Sequence, residues 1–216
     1  MDFNIDLFLE FDQKSRDKLR QQLVKESINV IHRSLKSREK KINSFCIDRV
    51  KNYLMDSPEI KSLLEDKGKL HIELGVPDAS TNIERLVHYI SESLVVEFNK
   101  VDNKSIDASV EIILKNSKDL KDIYSQSFAF YETEKGTKIE WLKWLLEAGN
   151  QDVIFGYKIR YGVDVGRTGD AVMIKSRQAN WRVPPEFSGT IDNNFITRSL
   201  SNIEQDLATY IESIIS

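Results

Sequence analysis

The stretch of sequence that decides the fold is residues 139–199, which read IEWLKWLLEAGNQDVIFGYKIRYGVDVGRTGDAVMIKSRQANWRVPPEFSGTIDNNFITRS. It holds all three Trp residues, two of the four Pro residues and most of the Gly residues. The spacing of its apolar residues predicts a short helix that Gly149 ends. An alternating strand at Val153–Val163 follows, and Ala171–Lys175 is predicted to pair with it across a turn at Asp164–Asp170. A closing helix is predicted to begin near Asp192–Asn194.

Upstream of this stretch the pattern is mainly helical. Apolar residues three and four apart between Leu19 and Leu35 predict a helix whose apolar stripe faces inward. The same spacing predicts a second helix at about Lys41–Met55. Ser57 before Pro58 predicts an N-cap and the start of a third, short helix.

The middle of the chain adds strands and further caps. Thr81 and Glu84 have the spacing of a capping box, and Thr137 is predicted to cap the helix that carries Leu142. Alternation near residues 94–101 and 106–115 predicts an antiparallel hairpin with a turn at 102–104. Residues 3–9 alternate as well, and residues 70–76 do so weakly.

These elements predict an α+β fold, in which helices pack on a small, mainly antiparallel sheet. A helical region lies at the N-terminus and a long helix at the C-terminus. At 216 residues the length fits one domain. We expect a basic helical region at 1–56 and a core of sheet and helices at 57–216.

Composition excludes several classes of protein. A net charge of -3, with 40% hydrophobic and 30% charged residues, is typical of a soluble globular protein. Apolar runs are too short to span a bilayer, so no membrane partner is expected. Cys46 is the single cysteine, which excludes an internal disulfide, and its neighbours indicate a buried thiol.

The sequence contains no pattern typical of a catalytic or metal site. The three His residues have no Cys or His at ligand spacing, so no metal is expected. Gly162, Gly166 and Gly169 are spaced somewhat like a phosphate loop, but a Gly-Lys-Ser/Thr ending and a following helix are both missing. We therefore predict neither an enzyme nor a bound cofactor.

Basic residues are concentrated in the first two predicted helices. Twelve Lys and Arg residues lie between Lys14 and Lys51 against four acidic residues, so the rest of the chain is acidic. This density indicates either a solvated helical face or a surface that contacts DNA or an acidic protein. The residues that we assign to this basic surface are Arg33, Lys36, Arg38, Lys40 and Lys41.

The loop at residues 176–194 is the second candidate surface. A loop of this length often has a function or a partner, and consecutive prolines stiffen it. Its apolar residues either seal the core of their own chain or anchor a subunit interface. The residues that we predict at an interface, including two from the neighbouring turn, are Trp181, Arg182, Pro184, Pro185, Phe187, Arg167 and Asp170.

Four segments of the chain resemble structural proteins of tailed bacteriophages. They are WLKWLLEAGN with the strand that follows it, GRTGDAVMI, WRVPPEFSGTIDNNFITRSL and SPEIKSLLEDKGKLHIELGVPDASTNIERLV. The family that they are most similar to is the tail-completion or head–tail joining proteins, typified by the phage HK97 putative tail component. The resemblance covers about half of the chain, and its motifs are structural.

The resemblance implies a non-enzymatic virion protein of the neck or tail that is assembled in the host cytoplasm. It implies a homo-oligomeric ring, commonly of six copies, between the head connector or adaptor and the tail tube or tail terminator. Packaged DNA could pass through its lumen. The alternative is a nucleic-acid-associated accessory protein that uses the basic N-terminal helices.

Overall fold

The computed structural model describes residues 12–99, 110–114 and 121–215. The alternating segment at residues 3–9 and the predicted turn at 102–104 lie outside these residues. The fold is α+β, as predicted. Its helices are α1 Gln13–Ser37, α2 Glu39–Asp56, α3 Pro58–Leu64, α4 Lys69–Leu74, α5 Ala79–Ser93, α6 Lys121–Tyr124, α7 Trp141–Glu147 and α8 Phe195–Ile215.

The strands of the described residues form four antiparallel pairs, each of two strands, and no larger sheet. Their bounds are β1 Leu94–Phe98, β2 Val110–Leu114, β3 Tyr131–Glu132, β4 Lys138–Ile139, β5 Asp152–Ile154, β6 Tyr157–Tyr161, β7 Ala171–Lys175 and β8 Trp181–Arg182. β1 pairs with β2, β3 with β4, β5 with β8 and β6 with β7. The predicted pairing of the strands near 94 and 110 is confirmed, with shorter strands than expected.

The strand predicted at Val153–Val163 is wrong in its length. Gly156 has φ +74, a left-handed conformation that turns the chain, and the neighbouring Phe155 side chain is 70% exposed. The alternation therefore covers two strands with different partners: β5 pairs with β8, and β6 pairs with β7. Pairing of β6 with β7 across the turn at Asp164–Asp170 is confirmed.

Local caps agree with the sequence at some helices and differ at others. The Ser57 hydroxyl accepts a hydrogen bond from the backbone N–H of Ile60, as the predicted N-cap requires. The capping box at Thr81 is wrong, because α5 already begins at Ala79. The cap at Thr137 is also wrong, because that residue lies in the β3–β4 turn and accepts from the N–H of Thr133.

The weak alternation at 70–76 proves to be the helix α4. Gly75, with φ +55, ends this helix, and its N–H donates to the carbonyl of His71. Leu70 and Leu74 are buried because they lie four residues apart on one face of the helix. The chain therefore does not enter a sheet at this point.

The core is one cluster of buried side chains. α2 lies at its centre, against α5, α8 and β1. At one side, the rings of Phe45 and Tyr210 stack with centroids 4.2 Å apart. The largest fully buried side chains are Trp141, Phe195, Ile42, Leu54, Ile60, Leu63, Leu70, Ile83, Leu86, Ile90, Leu94 and Ile123.

Helix α1 is packed differently from the prediction. Leu35, at its end, is buried, but Leu19 and Leu23 are 47% and 60% exposed, so a single inward stripe is wrong. At about 100° per residue, these two residues point away from the face that carries Leu35. The first turns of α1 therefore extend beyond the core and present apolar side chains to solvent.

Candidate functional site

Trp181 lies in the core of its own chain, with 6% exposure. Its indole N–H donates to Glu73 Oε2 at 2.8 Å, and its ring centroid is 5.9 Å from that of Trp144. The hydroxyl of Tyr161 donates to the other oxygen of Glu73. Both oxygens of this buried carboxylate therefore have a donor, and three distant segments meet there.

The carboxylate of Glu73 also affects the tyrosine beside it. Burial, and then the hydrogen bond to Glu73, raise the pKa of Tyr161 to about 12. This tyrosine therefore remains a neutral donor at physiological pH. The residue as a whole is 58% exposed, while its hydroxyl contacts the buried carboxylate.

The rest of the loop at 176–194 is fixed to the body of the protein. Lys69 of α4 forms an ion pair with Glu186 at 2.7 Å. The N–H of Gly189 donates to the carbonyl of Leu145 at 3.0 Å, and a Cβ at this glycine would lie 2.5 Å from the same oxygen. The loop therefore needs glycine at this point to approach α7.

The predicted interface residues of the loop fall into two groups. Pro184 is buried like Trp181, and Phe187 is half-buried against the core. Arg182 and Pro185 are exposed. The exposed residues are the part of this loop that a second chain can contact without unfolding it.

The turn between β6 and β7 contacts the body of the protein. The Arg167 guanidinium lies 4.5 Å from the ring centroid of Tyr131 and donates to its hydroxyl at 3.0 Å. The hydroxyl of Thr168 donates to the carbonyl of Ile72 at 3.4 Å. Asp170 is half-buried at the base of the turn. A mainly apolar cavity of about 260 Å³ lies beneath this turn.

The basic surface lies on α1 and α2, where α1 ends at Ser37 and α2 begins at Glu39. Arg38, between the two helices, is half-buried and donates to the hydroxyl of Ser34. Lys36 pairs with Glu39 at 2.9 Å. The other predicted residues, Arg33, Lys40 and Lys41, are exposed.

An acidic groove lies between β2 and α8. Its floor, by which we mean its apolar lining, includes Ile112 and Ile113 of β2 and Leu207 and Ile211 of α8, and its volume is about 530 Å³. Glu111 and Glu204 line it. The sequence analysis did not predict this groove, because the groove is formed by two segments that lie almost a hundred residues apart in the chain. The alternation of β2 was the only sequence pattern that indicated part of it.

Cys46 and the three His side chains lie on four different helices. Among the described residues, no three His, Cys, Asp or Glu side chains are grouped to hold a metal ion. Cys46 is fully buried, and burial raises the pKa of its thiol to about 11. His88 lies 3.9 Å from Glu92, one turn further along α5, and His71 lies 3.2 Å from the carbonyl of Leu63. No helix in the described ranges is both long enough and apolar enough to cross a membrane.

Three surfaces of the described residues are open to contact with another molecule: the face of α1 that exposes Leu19, Leu23 and basic side chains, the acidic β2–α8 groove, and the exposed residues at 182–185. Comparisons of the chain with protein-family models, with curated proteins and with solved structures found no match.

Proposed function

We propose that this protein is a structural protein of a tailed-phage virion, which forms a ring in the neck and joins the head connector to the tail. Its copies contact one another, and the ring contacts the connector or adaptor on one side and the tail tube or terminator on the other. The protein acts by assembly and has no catalytic role.

The observation that carries the proposal is the first helix. The part of α1 before Leu35 has mostly exposed residues, and it presents Leu19, Leu23 and Val30 to solvent. Large apolar groups on one exposed face mark a surface that another protein covers. A helix that extends beyond the core of its own chain is suited to contact a neighbour in a ring.

Two further observations support the proposal. The segments that resemble neck proteins form α3 to α5 and the region from α7 to α8, which together build most of the core. Charge is divided between the basic α1–α2 region and an acidic remainder. Such a division favours contact between unlike surfaces of neighbouring copies.

The experiment that tests the proposal is electron microscopy of the purified protein at high concentration, with mass spectrometry of purified virions. We expect closed rings and a fixed copy number per particle. A protein that forms no ring and is absent from virions contradicts the proposal.

The excess of basic residues on α1 and α2 favours one other function, an accessory role in nucleic-acid binding. Lysine and arginine on exposed helices bind the phosphate backbone without reading sequence. Binding to free duplex DNA separates this function from the structural one.

A further inference from the structure

The outer face of α1 carries an apolar stripe, formed by Leu19, Leu23 and Val30. Their exposures are 47%, 60% and 59%. Spacings of four and seven residues place them on one face over about 16 Å of helix. The opposite face ends at the buried Leu35, which fixes the helix to its own chain. The stripe therefore points away from the core of its own copy.

Basic side chains lie along both sides of this stripe. Arg20 is on one side and Arg33 is on the other, and both are exposed. Glu26 is the single carboxylate on the same face. The stripe is thus apolar along its centre and basic at its margins, which requires a partner that is apolar in the middle and acidic at the rim.

The β2–α8 groove has this complementary character. Its floor is apolar, and its charged lining residues within the described part of the chain are Glu111 and Glu204. Glu111 accepts a hydrogen bond from the neutral Asn99 at 2.8 Å. A strand of five residues such as β2 is about 17 Å long, which matches the length of the stripe.

A pair of like charges at the groove also favours a cationic partner. Glu97 of β1 lies directly opposite Glu111 in the β1–β2 register. Two carboxylates in this arrangement destabilise a strand pair. A basic side chain brought to this position would remove the repulsion.

We propose that α1 of one copy binds in the β2–α8 groove of a second copy. The stripe Leu19, Leu23 and Val30 covers the apolar floor, and the basic margins of the helix face Glu111 and Glu204. The two surfaces differ, so the contact is head-to-tail and leaves a free helix and a free groove for further copies. This inference rests on the proposed function only in expecting the copies to close into a ring.

The first experiment measures self-association by sedimentation over a range of protein concentrations. The helix variant is Arg20→Glu with Arg33→Glu, and the groove variant is Glu111→Lys with Glu204→Lys. We expect each to raise the dissociation constant for self-association at least about tenfold. A control matched to the helix variant, Lys135→Glu with Lys158→Glu, makes the same change in net charge as that variant at exposed positions elsewhere and should associate as the wild type does.

The second experiment mixes the two variants. The intact helix of the groove variant fits the intact groove of the helix variant, and the reversed charges of the two other surfaces are also complementary, so the one-to-one mixture should regain association that neither variant shows alone. A single chain with all four substitutions should regain self-association, because the charges are exchanged. Circular dichroism checks that every variant is folded.

The outcomes separate this inference from the proposed function. If the wild type assembles and the helix and groove variants assemble equally well, the inference is wrong. The proposed ring would then form through another surface. If the wild type remains monomeric at all concentrations, both the inference and the ring are contradicted. Recovery of association in the one-to-one mixture and in the fourfold variant supports the inference.

Discussion

At the scale of single residues, Trp181 links the long loop to α4 through Glu73. Replacing it with Ala removes a buried ring and leaves one oxygen of a buried carboxylate without its donor. We expect Trp181→Ala to lower the free energy of unfolding by about 3–5 kcal/mol. Trp181→Phe keeps most of the ring and should cost about 1–3 kcal/mol through the lost hydrogen bond.

Urea unfolding measures both changes. Phe155→Leu is the control, because that side chain is 70% exposed, and its effect should stay within about 0.5 kcal/mol. Equal effects of the Ala and Phe variants would show that the hydrogen bond to Glu73, rather than packing of the ring, dominates.

A second residue-scale prediction concerns the ion pair that joins α3 to α8. Arg198 contacts Glu59, which is 2% exposed and has one buried oxygen without a partner among the described residues. Arg198→Met leaves this carboxylate unpaired, and we expect a loss of about 3–5 kcal/mol in the free energy of unfolding.

Two comparisons complete this test. The double variant Glu59→Leu with Arg198→Met should recover most of the loss, because no charge remains buried. Lys61→Met breaks the exposed pair with Asp56 and should cost less than about 1 kcal/mol. A double variant that is as unstable as Arg198→Met would contradict this interpretation.

Cys46 gives a prediction about pH. Burial raises the pKa of its thiol from 9.0 to about 11. The folded pKa exceeds the unfolded one, so the stabilisation is fully present below about pH 9 and is lost as the pH rises toward 11. The difference in unfolding free energy between wild type and Cys46→Ala should therefore fall with pH in this window, by at most about 2–3 kcal/mol. A constant difference would contradict it.

At the scale of elements, the turn between β6 and β7 carries two glycines and few apolar residues, a composition typical of a mobile turn that a partner orders. The contacts of Arg167 with Tyr131 and of Thr168 with Ile72 fix this turn to the body. We expect Arg167→Ala to accelerate amide hydrogen exchange in the turn while lowering the free energy of unfolding by less than about 2 kcal/mol.

Arg160→Ala, on the exposed side of β6, is the control and should leave exchange in the turn unchanged. A large loss of stability in Arg167→Ala would show that the turn is part of the core. An unchanged rate of amide hydrogen exchange in the turn would show that the contact between the Arg167 guanidinium and the Tyr131 ring does not hold the turn in place.

A comparison of the helices and strands with the sequence patterns shows which of them could be predicted. Long amphipathic helices, such as α2 and α5, follow from the spacing of their apolar residues, because burial selects one face. The break at Gly156 was missed because alternation continues through it, while only the backbone conformation shows the turn. α4 was missed because six residues are too few for a helical period to be clear.

The candidate surfaces were predictable only in part. The basic residues of α1 are visible in the sequence, since they need no partner to be identified. The exposure of Leu19 and Leu23 could not be predicted, because apolar residues have the same spacing whether a helix packs on its own core or on another chain. The β2–α8 groove and the Glu73 site depend on contacts between distant segments, which no local pattern records.

At the scale of the whole molecule, charge is divided between a basic N-terminal region and an acidic remainder, although the net charge is only -3. The basic face can contact an acidic protein surface or the phosphates of DNA. Both contacts weaken with salt, but only DNA binding releases the counterions of free duplex. The acidic β2–α8 groove is the protein surface that we propose for the basic helix, and its charge favours the first alternative.

The test is a titration of the purified protein with duplex DNA at two salt concentrations. We expect no binding in the micromolar range at physiological ionic strength, because the basic residues surround α1 instead of forming one stripe along it. The control is a fourfold variant of the protein with the substitutions Arg33→Gln, Lys36→Gln, Arg38→Gln and Lys40→Gln. If the wild type binds at micromolar concentration, and if this binding depends strongly on salt and is lost in the fourfold variant, α1 and α2 contact DNA. The protein would then line a DNA channel or act as a DNA-associated accessory protein. The partner of the basic helix α1 would be DNA, and not the groove of a neighbouring copy.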